Sequence, residues 1–428
     1  MKTIRIAALV LGLAALAGCQ SSGITAPTEP LRVQGALSYP ERIALPPDSV
    51  ATVVLRRFDD GGEQVAAELQ IPLQGRQVPI PFQLETTVAL GDPAVYELRG
   101  SVTLGASAFR ITRPLLIDPA AGVMNLGMVR LLPVDEVAFG THFLCGAEDL
   151  LFGAAGETGR MVLNGRVFDM VLAPAASGTL YRALGQDSTF FHGKGQEAVV
   201  EIEGRRLPTC RQSAAPAEPF RARGQEPGWN VTLADGRAEV GLDYGRQRVS
   251  LPLFATSSEG RVTRFRAADG VHRMVMDVAR RNCNDSMSGM PYPFVVALEF
   301  DDRVLAGCGG EAVDLLAGRE WVVEDLDGGG IIDRSRITIE FDPESGRVFG
   351  RGSCNRYNGT FTLSGEGLSF DGTAATMMAC AEALMDQEQK FFRILAGINR
   401  FDIDATGALL LSGTAGTLKA YADTRPAE

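Results

Sequence analysis

The chain has 428 residues, 45% of them hydrophobic and 22% charged, which is enough apolar material for several cores and excludes wholesale disorder. At roughly 100–200 residues per domain, that length predicts two to four domains. A net charge of −11 excludes a general nucleic-acid binder, which needs a basic surface, and suits a basic partner instead. With 49 glycines and short apolar runs, the chain predicts turns and strands rather than long helices.

The first residues are a leader. Met1-Lys2-Thr3-Ile4-Arg5 is a short basic region, and Ile6 to Gly18 carries no charge but is too short for a permanent membrane span. Leu16-Ala17-Gly18-Cys19 resembles the lipobox of bacterial lipoproteins, in which the leader is cut before the cysteine and its sulfur is acylated. That resemblance implies a signal peptide over 1–18, lipidation at Cys19 and stable anchoring by several acyl chains. Gln20, rather than aspartate, after the cysteine implies sorting to the outer membrane of a Gram-negative cell, facing the periplasm. Residues 19–30 read as a tether.

Six cysteines remain: Cys145, Cys210, Cys283, Cys308, Cys354 and Cys380. An even number in an exported chain predicts disulfides. Pairing neighbours along the chain selects Cys145–Cys210, Cys283–Cys308 and Cys354–Cys380, each worth roughly 3–4 kcal/mol. No Cys-x-x-Cys pair is present and no histidine lies close to a cysteine pair, so no metal is expected.

Proline-rich and small residues mark a linker at 213–219, with weaker joints near 133–136 and 309–312. The fold class predicted is mainly β in four small domains: a β-sandwich (31–133), an antiparallel β-barrel (139–212), an antiparallel β domain (220–310) and a β sheet with one helix (313–424). Trp229 and Trp321, near the starts of the last two, read as core anchors.

In the first segment, Tyr96-Glu97-Leu98-Arg99-Gly100-Ser101-Val102 alternates as a half-buried strand should, and Pro79 and Pro81 put their run at a sheet edge. The patterns Glu41–Ser49 and Gly75–Phe82 resemble the YbaY-like lipoprotein family, related to type III secretion lipoprotein chaperones. The resemblance implies a small β-sandwich and no defined activity.

In the second segment, Asn164-Gly165 between apolar runs is a strong hairpin signal, and Ala198–Leu207 reads as another hairpin. Phe143-Leu144-Cys145, the Asn-Gly turn, Ala176-Ser177-Gly178-Thr179-Leu180-Tyr181, Lys194-Gly195-Gln196-Glu197-Ala198 and Cys210 resemble the membrane-bound inhibitors of C-type lysozyme (MliC). The resemblance implies that Ser177 and Lys194 enter the lysozyme cleft. Lysozyme works through two carboxyl groups, and an ammonium and a hydroxyl can pair with both while excluding substrate and water. Only four lysines occur in the chain, so Lys194 stands out against an arginine background. The family usually has an aromatic two residues before this lysine, where the chain has His192. Ser177 and Lys194 read equally as solvated turn residues.

In the third segment, Asp235-Gly236 is another hairpin signature. Gly224–Val231 and Cys283–Ser288 resemble an uncharacterised bacterial periplasmic domain, and Asn284-Asp285-Ser286 is read as turn chemistry. In the fourth, Trp321, Gly352-Ser353-Cys354-Asn355-Arg356-Tyr357-Asn358-Gly359 and Thr376-Met377-Met378-Ala379-Cys380 resemble the META domain of the HslJ-like family, linked to stress response. Asn355, Arg356 and Tyr357 are read as a hydrogen-bonding turn rather than a polar site. A helix is expected over Ala381 to Ile398.

No nucleophile elbow, zinc-protease motif or P-loop occurs, and His142, His192 and His272 lie far apart. Asp325-Leu326-Asp327-Gly328-Gly329 lacks the rest of a calcium loop and is read as a turn. The expectation is therefore no catalytic residues, no cofactor and no enzyme, but a lipid-anchored envelope lipoprotein that inhibits C-type lysozyme. The alternative is an envelope stress or assembly scaffold acting on other envelope proteins through the YbaY-like and META segments.

Overall fold

The computed structural model describes residues 28–423, apart from 90, 105, 106, 112, 134–139, 147, 164, 214, 366 and 405. The leader, Cys19 and Asn164 lie outside the described residues. Among those described, no helix is long and apolar enough to cross a membrane. The molecule is mainly β, with a single α-helix at Glu382–Gly397 among the described residues.

At the N-terminal end, a six-stranded sheet centred on Val50–Asp59 and Val95–Leu104 shares its core with a three-stranded sheet of Ile80–Ala89, Thr28–Ser38 and Val123–Arg130. Ile80–Ala89 lies at the edge of the smaller sheet, where the missing N–H of Pro81 breaks no ladder. Thr28–Ser38 runs parallel to Val123–Arg130, a pairing between segments about ninety residues apart that no local pattern announces.

The second unit is an antiparallel sheet from Thr141–Cys145 to Cys210–Gln212 that closes where Gln186–Lys194 pairs with Glu197–Ile202. Cys145 and Cys210 face each other across neighbouring strands and are bonded. The third unit is a closed eight-stranded barrel from Phe220–Gln225 to Arg303–Gly309. Its Asp235-Gly236 turn has φ of 51° and 69°, the two left-handed residues a tight hairpin requires. Cys283 and Cys308 are bonded within it. The fourth unit is an eight-stranded sheet covered by the helix through Phe391, Ile394 and Leu395, with Cys354 bonded to Cys380. Trp229 and Trp321 are buried, and each indole N–H donates to a backbone carbonyl, of Ala306 and Leu316 respectively.

The barrel is the hub. Met290, Tyr292 and Cys308 of the barrel belong to the same apolar core as Trp321, Ile339 and Phe401 of the fourth unit. Against the first unit, Phe58 and Val95 pack with Ala268 and Val275. At the centre of that seam the Arg266 guanidinium forms a two-pronged bond to Glu97, at 2.8 and 3.0 Å, and lies 4.0 Å from the Phe58 ring centroid. The alternation through Tyr96–Val102 predicts a solvent-facing Glu97; the barrel covers that face instead and leaves Glu97 only 1% exposed. Against the second unit the seam is smaller: Gly260 bridges to Thr141, and Arg261 donates to Asp149 at 2.9 and 3.0 Å.

Candidate functional site

The second unit presents its most distinctive polar groups on one rim. Phe191 stacks on Phe152 with ring centroids 3.8 Å apart and meets Phe143 edge-on at 5.4 Å. That aromatic core fixes the strand Gln186–Lys194 in register. Its partner strand, Thr179–Ala183, pairs Thr179 with Gly193 and Leu180 with His192. Ser177 lies two residues before the first of these pairs and Lys194 one residue after it, so the fold brings both onto the same end of the unit.

His192, the departure from the family pattern, joins the two loops. Its Nε2 lies 2.7 Å from the Ser177 carbonyl oxygen, which only accepts, so Nε2 carries the proton and donates. Sequence reasoning missed this bond, and the only signal for it was the unusual residue itself. Gly178 makes the approach possible. It has a φ of +71°, and a Cβ there would stand 2.4 Å from the Gly193 carbonyl oxygen.

On the other side of the rim, Lys194 ends its strand opposite Glu197, and the turn that follows is tied down by the Gln212 N–H, which donates to the Gln196 carbonyl at 2.7 Å. The Glu197 carboxylate is engaged by Arg211 at 3.4 Å. Ser177 and Lys194 are both exposed, and among the described residues neither side chain makes a hydrogen bond or ion pair. One hydroxyl and one ammonium therefore stand in solvent, held by a disulfide-closed sheet, which suits them to a target bearing carboxyl groups.

The other candidate polar groups are committed to structure. Asn355 is buried; its amide donates to Glu388 at 2.7 Å and its carbonyl accepts from Thr376 and Met378. The Tyr357 hydroxyl donates to the Thr338 carbonyl at 3.0 Å, and burial pushes its pKa far above the ordinary phenol value. Glu388, unremarked in the sequence, also accepts from the Cys354 and Asn355 N–H groups, so the helix caps the Gly352–Gly359 loop from beneath. Asp285 accepts from the Met287 and Ser288 N–H groups, and Asp325 from those of Gly328 and Gly330, as turn residues do. Among the described residues no group of three His, Cys, Asp or Glu is placed to hold a metal ion.

Comparison with known proteins finds matches to three stretches of the chain. Residues 28–115 match the model of the type III secretion system lipoprotein chaperone (YscW). Residues 154–207 match that of the membrane-bound lysozyme-inhibitor of c-type lysozyme, and residues 314–424 that of the META domain. Three stretches of the chain thus match the models of the families their residues resemble. These families are non-catalytic, and the first two suggest an envelope lipoprotein. Among solved structures, an alternative pilotin from the type II secretion system of Vibrio cholerae is 23% identical, covering 25% of this chain and 100% of its own, with a TM-score of 0.22. A Burkholderia xenovorans protein solved by NMR is 28% identical, covering 27% and 88% respectively, with a TM-score of 0.23. No curated protein matches the chain.

Proposed function

We propose that this chain is a non-enzymatic envelope lipoprotein whose second unit binds C-type lysozyme and blocks its cleft with Ser177 and Lys194. The observation that carries the reading is the rim itself: an exposed hydroxyl and an exposed ammonium, neither hydrogen-bonded nor ion-paired among the described residues, on neighbouring segments joined by the His192–Ser177 bond. The Lys194 ammonium pairs with a catalytic carboxylate in a desolvated cleft, and the Ser177 hydroxyl donates to the second. An acidic inhibitor, at −11, is steered towards a basic enzyme. Lipidation at Cys19 holds the chain at the outer membrane, facing the periplasm.

The test is titration of lysozyme on cell-wall substrate. The full chain is expected to abolish activity at a 1:1 endpoint, which a hydrolase acting by turnover would not show. Lys194→Ala removes one partner of a buried charge pair and should weaken inhibition by at least about thirtyfold. No inhibition at micromolar excess, or inhibition untouched by Lys194→Ala, refutes the reading.

A further inference from the structure

The barrel and the fourth unit line a cavity of about 460 Å³ where they meet, a size at which pockets hold small organic ligands. One wall is the outer face of the barrel strand Phe220–Gln225. Phe220, Ala222 and Gly224 are buried in the barrel, so Arg221, Arg223 and Gln225 turn outward. Arg221 pairs with Glu311 at 3.1 Å, and the Gln225 amide donates to Asp285 at 2.9 Å. Arg223, between them, is different. Among the described residues it makes no ion pair or hydrogen bond, and its guanidinium lies over the Tyr292 ring, 4.9 Å from the centroid.

Tyr292 supplies a second, independent observation. Only 5% of it is exposed, yet among the described residues its hydroxyl has no hydrogen-bond partner, where a buried tyrosine ordinarily finds one. Nor is that hydroxyl sealed in protein, so it opens into the cavity that the residue lines. Burial raises its pKa above the ordinary phenol value, so it keeps its proton and donates. The cavity therefore holds two donors, one neutral and one cationic, with nothing in the protein to accept from them. Its facing wall comes from the fourth unit, where Phe361 and Leu363 of the strand Arg356–Ser364 are half-buried against that unit's core.

We propose that this cavity binds a small carboxylic acid with an apolar body, the carboxylate accepting from the Tyr292 hydroxyl and the Arg223 guanidinium and the body lying against Phe361 and Leu363. With the guanidinium 4.9 Å from the ring, one carboxylate can accept from both groups, an oxygen for each. A phosphate carries more charge and more oxygens than these two donors satisfy. A cation is disfavoured, because Glu311 is the one carboxylate among the described residues that line the cavity and Arg221 already offsets its charge.

The experiment is isothermal titration of the full chain, without its leader, with 4-phenylbutyrate and with its neutral analogue 4-phenylbutanamide. The acid is expected to bind as one molecule per chain, and the amide at least about tenfold more weakly. Arg223→Gln should weaken binding of the acid about tenfold, and Tyr292→Phe, which keeps the ring in the core, about threefold. Arg223→Lys, which keeps the charge, should lose less than Arg223→Gln. No binding of the acid at millimolar concentration, equal binding of acid and amide, or an affinity for the acid unchanged by Arg223→Gln or by Tyr292→Phe overturns the proposal. None of these outcomes bears on Lys194, which belongs to another unit.

Discussion

The barrel holds its neighbours in two different ways. Its seam with the first unit sequesters charge: Glu97 and Arg266 are each 2% exposed at the side chain, bonded to one another, with Ser257 and the Phe58 ring completing the arginine's surroundings. Its seam with the second unit is a surface affair, where Arg261 and Asp149 remain 36% and 34% exposed. A buried pair is costly to break and contributes little net energy whole, whereas a half-exposed one is cheap to break and screened by salt. The first seam is therefore a fixed joint and the second a soft one, which leaves the unit carrying Ser177 and Lys194 the more independent of the two.

The largest expected effect breaks the fixed joint. Glu97→Ala leaves Arg266 buried without its partner and should cost about 3–5 kcal/mol, read as a loss of stability in denaturant shared by the first unit and the barrel. Replacing both, Glu97→Met with Arg266→Leu, should recover most of that loss, because the two opposite charges leave together and Arg264, which also lies 3.4 Å from Glu97, keeps its bond to Asp277. If Glu97→Ala alone costs under about 1 kcal/mol, the seam is not the sequestered joint its geometry indicates.

The contrast also marks what was legible in the sequence. Features set by neighbours in the chain were readable: the Asp235-Gly236 turn, the helix at Glu382–Gly397, and the edge position of the strand after Pro79. Pairing each cysteine with its neighbour along the chain gives the three bonds found in the structure. Features set by tertiary contact were not. Glu97 sits in a strand whose alternation reads as one face in water, and only the arrival of Arg266, 169 residues away, turns that face inward. Glu388 likewise reads as a solvent residue of an amphipathic helix until the Cys354 and Asn355 N–H groups converge on it. Ser177 and Lys194 were named through family resemblance, since nothing in their spacing distinguishes them from ordinary turn residues. The structure adds the bond from His192.

That bond supplies the next prediction, on the free rim of the soft-jointed unit. Gly178→Ala forces a Cβ against the Gly193 carbonyl at a backbone angle alanine disfavours. It should destabilise the rim by about 1–3 kcal/mol, detected as faster amide exchange at His192 and Gly193. Because the rim and the barrel-facing strands are separate, exchange at Gly260 and Arg261 should stay unchanged. Accelerated exchange at both places would mean the second unit responds as one body, and the distinction between its rim and its joint would fail.

The smallest effect is the one that sharpens the soft joint. Burial raises the Asp149 carboxyl, but the hydrogen bond from His142 at 2.8 Å and the charge of Arg261 outweigh it and hold the pKa below the ordinary aspartate value. A carboxyl whose pKa is lower folded than unfolded contributes stability that is complete above the unfolded value, near 3.9, and is lost as the pH falls through the folded value. Amide exchange at Gly260 and Arg261 should therefore be level from neutral pH down to about 4, once corrected for the intrinsic rate, and rise below it. Asp149→Asn should weaken the joint by about 1 kcal/mol at neutral pH and abolish the acid step, since no charge remains to be lost. An acid step that survives in Asp149→Asn would belong to another group, and the softness of this joint would then owe nothing to the Arg261–Asp149 pair.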